Sequence, residues 1–300
     1  MNAMPRLPPE LRARLGELRI VARRTTAVGG IGQHISRNRG AGLEFSQYRA
    51  YEQGDEPRRI DWKLYARSDR WFVRESERDS ALEIHVLVDA TASMAQADAA
   101  RPGVTKLDAA RILTAAIVEL AFRQGDRFGA LAIGDGRLVP TPVGAGLRQR
   151  DACLHALETW DARGGWPAEA ALRRVFDRVP HHALVVLLSD VFDDTVIAFA
   201  ERLAATQREV LTIQLLGADE VAFPFEGGHR FVDPESGAEL TLDAGAARRA
   251  YLERFEAAQR ALARRYAAAG IRHVVHVLDQ PLFAPLRRLF GARGAEALRA

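Results

Sequence analysis

The sequence predicts an α/β fold: a doubly wound, mostly parallel sheet with helices on both faces, preceded by a small N-terminal unit of one helix and β structure. Three observations predict it. Short apolar runs, 84–88 and 183–188 among them, have the length and branched content of strands buried on both faces. Amphipathic helical stretches alternate with these runs, as in a parallel sheet joined by crossover helices. Two of the runs end abruptly near an acid, at Asp89 and at Asp190, and the carboxyl ends of such strands are where α/β sheets bind ligands.

In chain order, residues 7–24 place Leu7, Leu11, Leu15 and Leu18 at helical spacing with arginines between them. Packing on its own domain is the preferred reading of this helix; docking to an acidic partner or to nucleic acid is the other. A glycine-rich connection, 28–42, lacks the Gly-Lys-Ser/Thr of a phosphate cradle and reads as a loop. Residues 44–75 hold the densest mixture of aromatic and charged side chains in the chain. Interleaved arginines and aromatics suit a binder of single-stranded nucleic acid. Seven acids sit among those arginines, however, from Glu44 to Glu75, so internal pairing or a protein interface is preferred. Residues 71–75 read as a strand.

Beyond this the pattern alternates. Helices are expected at 105–123, 149–160, 167–178, 196–206, 246–268 and 282–290, and strands at 84–88, 127–133, 183–188, 210–216 and 273–278. Gly134-Asp135-Gly136 is a hairpin signal that turns residues 138–139 back antiparallel, and 231–242 reads as a second hairpin turning at Ser236-Gly237. Residues 1–80 are expected to form the small unit and 81–300 the larger domain.

Composition limits the function classes. The net charge is only +3, with 16 Lys and Arg against 11 Asp and Glu in residues 1–80 and 26 against 28 beyond them. Only the front is basic, so nucleic-acid binding through that arginine-rich region stands as an alternative function. The lone cysteine, Cys153, excludes an internal disulfide framework and fits a reducing compartment. No apolar run approaches the roughly 20 residues that span a bilayer, and residues 1–10 lack a signal-peptide core, so a cytoplasmic protein is expected.

The stretch IHVLVDATASM, 84–94, carries the candidate site. Asp89, Thr91 and Ser93 recur at every second position beyond a strand end, and in extended chain alternate side chains share one side. In a sheet of order 3-2-1-4-5-6, the strands ending at Asp89 and Asp190 are neighbours. Two carboxylates and two hydroxyls would then meet in one crevice, a hard oxygen site of the kind that takes Mg²⁺. The competing reading makes both acids caps of the helices that follow.

Asp89-Ala90-Thr91-Ala92-Ser93 resembles the first motif, Asp-x-Ser-x-Ser, of the metal-ion-dependent adhesion site of von Willebrand factor A domains, and Ser189-Asp190 resembles its last motif. More specifically, residues 44–67 followed by LVDATASM, with DPESGAELTLD at 233–243, are similar to the family catalogued as domain of unknown function 58. That resemblance implies a von Willebrand factor A-type domain and a non-catalytic adaptor role. It also implies a MoxR-type AAA+ ATPase as partner, with a protein client of unspecified identity, in protein remodelling or complex maturation. Asp89, Thr91, Ser93 and Asp190 become the expected metal ligands, with Mg²⁺ as cofactor. Arg58, Asp61 and Trp62 in the signature, with Gly165 and Trp166 in the loop 163–167, become the expected partner contacts. One departure stands out. The adhesion site draws a threonine from that loop, whereas this loop reads Arg163-Gly164-Gly165-Trp166-Pro167, and an indole cannot ligate a hard cation. A metal-free interaction crevice is therefore the alternative.

An enzyme is not expected. An Mg²⁺-dependent hydrolase with an aspartate nucleophile wants a second acid two residues after the first, where Thr91 stands. His273 and His276 alternate along a strand, and no Ser-His-Asp, Cys-His or zinc spacing accompanies them.

Overall fold

The computed structural model describes residues 7–22, 45–51, 60–76, 81–98 and 101–291. The chain divides into two compact units, one made of Met1–Thr25 with Leu82–Ala300 and the other of Thr26–Ala81. The leading segment thus belongs to the larger unit instead of the small one. Helix α1 (Pro9–Arg14) is also shorter than the helix expected at 7–24. The chain tightens into a 3₁₀ turn at Leu15–Glu17, which contains the poor helix former Gly16, and then runs extended. Burial accounts for both differences. Leu11, Leu15, Leu18 and Ile20 enter the large core, and Gln124 brackets the Ile20 backbone, accepting from its N–H at 2.8 Å and donating to its carbonyl at 3.0 Å.

Within the small unit, β1 (Phe45–Ala50) and β2 (Phe72–Ser76) pair antiparallel around α2 (Trp62–Ser68). Asp61 caps α2, its carboxylate accepting from the N–H groups of Lys63 at 2.9 Å and Leu64 at 3.0 Å. Trp62, Tyr65, Trp71 and Tyr51 form an aromatic cluster, with neighbouring ring centroids 5.1–6.2 Å apart. The glycine-rich loop expected at 28–42 lies outside the described residues.

In the larger unit, β3 (Glu83–Asp89) leads to α3 (Lys106–Gln124), β4 (Arg127–Gly134), β5 (Arg137–Pro140), α4 (Leu147–Glu158), α5 (Glu169–Arg178) and β6 (Leu184–Ser189). Then come α6 (Asp194–Ala205), β7 (Glu209–Leu216), α7 (Ala218–Ala222), β8 (Gly228–Val232), β9 (Glu239–Asp243), α8 (Ala244–Ala268), β10 (Arg272–Val277) and α9 (Phe283–Phe290). The main sheet runs β10-β7-β6-β3-β4-β5, all parallel except β5. In sequence order from the first sheet strand this is 3-2-1-4-5-6, so β3 and β6 are neighbours as expected.

The apolar strands are continuous because helices cover both faces. Val86, Val88, Val186 and Leu188 point into a core shared with α3, α4 and α9, while Leu87, Val185 and Leu187 point into one shared with α5 and α6. The crossover after β3 therefore packs on one face and the crossover after β6 on the other. Between them the strand ends are left open.

Candidate functional site

A crevice of about 380 Å³ occupies that opening, lined by Asp89 at the end of β3 with Thr91 and Ser93 beyond it, by Asp190, Phe192 and Asp193 after β6, and by Trp166 and Glu220. The turn joining β8 to β9 adds Asp233 and Glu235. Six of the lining residues are acids, and no Lys, Arg, His or Cys among the described residues lines it.

Each part follows from local structure. The chain leaves β3 by turning over β4, where the Ala90 N–H donates to the Ile133 carbonyl at 2.8 Å. A Cβ on Gly134 would collide with the Ala90 carbonyl, so only glycine allows this crossing. The loop 163–165 then docks on the same turn. The Arg163 N–H donates to the Ala90 carbonyl at 2.9 Å, and the Ala92 N–H donates to the Gly164 carbonyl at 2.8 Å. Trp166 is thereby carried to the crevice wall, its ring 5.7 Å from Phe199 and its indole N–H without a partner among the described residues. Gly165 faces the hairpin turn, where a Cβ would sit 3.5 Å from a Glu235 carboxylate oxygen.

Asp89 is almost fully buried. Its Oδ1 accepts from the Thr91 N–H at 2.9 Å and its Oδ2 from the Ser189 hydroxyl at 2.7 Å. Burial, aided by the negative charge of Asp190, pushes its carboxyl up to about 7 against the pull of those hydrogen bonds. The Thr91 and Ser93 hydroxyls lie 3.0 Å apart. After β6, Val191 adopts a left-handed backbone at φ 58°, rare for a β-branched residue and costing on the order of 1–3 kcal/mol. Ser189 supports it by accepting from the Val191 N–H at 3.0 Å. This turn buries Asp190 and leaves Phe192 51% exposed on the rim.

The sequence reading missed Lys106. As the first residue of α3, capped by Thr105, it projects its side chain back past the helix N-terminus toward the strand ends. Its ammonium is 1% exposed and lies 3.1 Å from Asp190 Oδ2 and 2.6 Å from Glu220 Oε1. Glu220 was missed as well; burial raises its carboxyl, against the pull of Lys106. A signal for Lys106 was present, because this chain has 42 Lys and Arg yet only two lysines, Lys63 and Lys106. A fully enclosed site suits the compact ammonium better than the broad guanidinium fork.

The expected ligands Asp89, Thr91, Ser93 and Asp190 all reach the crevice, as does Trp166, while Gly165 lies beside it against Glu235. Asp61 and Trp62 sit in the small unit, Asp61 as the cap of α2 and Trp62 mostly exposed in the aromatic cluster. Arg58 lies outside the described residues. The hydroxyl pair has the spacing of neighbouring ligands about an octahedral ion with bonds of roughly 2.1 Å. The carboxylates do not suit such an ion. Both oxygens of Asp89 accept internal hydrogen bonds, Asp190 is paired with an ammonium, and Trp166 stands where the third hydroxyl would come from. Among the described residues, no group of three or more His, Cys, Asp or Glu could hold a metal ion. On these contacts the residues do not fit a resident magnesium ion.

Comparison with known proteins places the chain. An uncharacterized protein of Mycobacterium tuberculosis strain H37Rv is 29% identical over 294 residues, 97% of this chain and 92% of that protein, and an uncharacterized protein of Mycobacterium bovis matches to the same extent. Among solved structures, BatB from Bacteroides thetaiotaomicron covers 73% of this chain and 99% of its own at 11% identity and a TM-score of 0.45. The SpRpn10 von Willebrand factor A domain covers 69% of this chain and 93% of its own at 14% identity and a TM-score of 0.38. The fold assignment rests on the sheet order and strand directions described above. The family described as protein of unknown function DUF58 matches over residues 47–262, most of the sequence, and the chain belongs to that family.

Proposed function

We propose that this chain is a non-catalytic adaptor that grips a protein partner in the crevice between β3 and β6 and works with a MoxR-type AAA+ ATPase in remodelling or maturing a protein client. The observation that carries this reading is the character of the lining. The inner polar groups are engaged with one another, while the rim offers Asp193, Asp233, Glu235 and the exposed Phe192. An exposed aromatic beside carboxylates is the chemistry of a protein interface, and the group that complements it is a partner's arginine or lysine. Catalysis is disfavoured because Asp89 is hydrogen-bonded on both oxygens and no His or Cys among the described residues lines the crevice to serve as base or nucleophile. An acidic lining repels phosphate, which weighs against nucleic acid at this site. The cytoplasm is the compartment proposed, since the one cysteine is a buried free thiol; no helix among the described residues is long and apolar enough to cross a membrane.

The test is capture of a purified MoxR-type ATPase from the same genome by immobilised full chain. Wild type should retain it, and the triple variant Asp193→Asn, Asp233→Asn, Glu235→Gln should lose at least about tenfold in affinity, roughly 1.4 kcal/mol. Equal retention by both would remove the crevice as the contact. No retention by either would remove this ATPase class as the partner.

A further inference from the structure

We infer that the Lys106 ammonium is the resident cation behind the crevice wall, a covalently attached counter-charge that neutralises Asp190, an acid a divalent ion would otherwise ligate, together with Glu220. The inference rests on the crevice being the functional site and names what controls its charge.

The placement of Lys106 is unfavourable by itself. An ammonium at the first position of a helix faces the positive end of the helix dipole, and full burial strips its water. The surrounding structure is arranged to hold it there. Asp190 Oδ2 meets it at 3.1 Å and Glu220 Oε1 at 2.6 Å, while the Phe192 ring centroid lies 5.2 Å away. Glu220 is fixed in turn. Its other carboxylate oxygen accepts from the Gly217 N–H at 2.7 Å, and its backbone carbonyl accepts from the Tyr251 hydroxyl at 2.7 Å. Asp98 anchors the start of the same short helix, accepting from the Ala218 N–H. Asp190 is held from behind by Gln214, whose amide donates to its carbonyl at 2.9 Å. Three elements far apart in sequence thus converge on one ammonium.

The consequence is a change in what the crevice recognises. A bound divalent ion would leave a positive coordination position and draw a carboxylate from the partner. An internal ammonium, buried behind Asp190 and Glu220, satisfies those two acids and presents no open position. The acids of the rim then set the sign of the site, and the entering group is a base. Binding of the partner needs no metal and is insensitive to chelators.

Manganese, a spin-active substitute for magnesium, gives the test with the full chain. Titration of Mn²⁺ followed by electron paramagnetic resonance should show no protein-bound fraction for wild type at millimolar ion. Lys106→Met, checked for folding by circular dichroism, should gain a Mn²⁺ site at least tenfold tighter than any in wild type, because its carboxylates have lost their counter-charge. If that variant does not fold, Lys106→Met combined with Glu220→Gln, which withdraws one acid together with the ammonium, is held to the same outcome. Submillimolar Mn²⁺ binding by wild type that Asp190→Asn abolishes would overturn the inference, as would a folded variant with no gain. Either result leaves the adaptor reading standing, and unchanged capture by the rim variant would remove the crevice as the partner's seat while leaving the Mn²⁺ outcome for Lys106 readable on its own.

Discussion

The crevice and the edge strand β10 bury polar side chains to the same depth and treat them in opposite ways. At the crevice Asp89, Asp190 and Lys106 are each no more than 3% exposed, and each is held by a hydrogen bond or an ion pair. On β10, His276 is 0% exposed and neither ring nitrogen has a hydrogen-bond partner among the described residues. Burial, helped by the charges of Arg101 and Arg288, holds His276 down to about 4, and burial alone does the same to His273. Both imidazoles are therefore neutral near pH 7; His273 lies 3.2 Å from the Gln214 amide oxygen, whereas His276 fills space as an aromatic ring. Among the described residues, the buried charges at the crevice are met by side chains from other elements, Lys106 by Asp190 and Glu220, whereas the equally buried His276 is left as a neutral ring with no such partner.

The largest expected effect breaks the crevice side of the comparison. Lys106→Met leaves Asp190 and Glu220 buried without their shared cation, and loss of one partner of a buried pair costs about 3–5 kcal/mol. Urea unfolding of the single variant should show a loss of that size. His276→Leu, on the other side, removes no hydrogen bond and should change stability by less than about 1 kcal/mol. Comparable losses from both substitutions would erase the distinction.

The next effect is a pH dependence carried by β10. His273 and His276 have folded values of about 4 against an ordinary 6.5, so below pH 6.5 the unfolded chain binds protons that the folded chain refuses. The stability these two rings contribute is thus fully present above about pH 6.5 and falls as pH drops toward 4, against the opposite trend from Asp89, whose raised carboxyl favours the folded state as pH falls below about 7. Each histidine accounts for roughly 3 kcal/mol across that window at 1.36 kcal/mol per pH unit. His276→Leu should flatten the acid limb by about half of the total. An unchanged acid limb in the variant would show that His276 is not buried as a neutral ring.

How much of this was legible in the sequence divides along the same line. The strands were readable because two-sided burial leaves unbroken apolar runs, and the acids that end two of them stood out against those runs. Asp89, Thr91, Ser93 and Asp190 could be brought together from strand order alone, since β3 and β6 are adjacent in the expected arrangement. Lys106 and Glu220 could not. Their pairing joins positions 114 residues apart and depends on the direction in which a first-turn side chain leaves its helix, which no local pattern records. Short elements held by tertiary contacts, such as α2 and α7, have too few residues to show a period. The helix expected at 7–24 stopped early because its leucines are buried by the core rather than by a continuous helical face, and Gly16 permits the break.

The smallest effect on stability should carry a large effect on function. Phe192 is half exposed beside the buried acids, and its position is set by the left-handed Val191 before it, a conformation that costs free energy and brings no core packing to Phe192 itself. An exposed side chain contributes little to folding, so Phe192→Ala should move the unfolding midpoint by an amount equivalent to less than about 0.5 kcal/mol. If the ring is the apolar part of the partner's seat, the same variant should lose about fivefold or more in capture of the ATPase, because a desolvated aromatic anchor contributes about 1 kcal/mol or more at an interface. Its ring also lies 5.2 Å from the Lys106 ammonium, so part of the stability change should vanish when Lys106 is already methionine. A double-mutant cycle on stability separates the two contributions. Loss of capture with no coupling to Lys106 would make Phe192 an anchor alone, and coupling with no loss of capture would make it a cover for the ammonium.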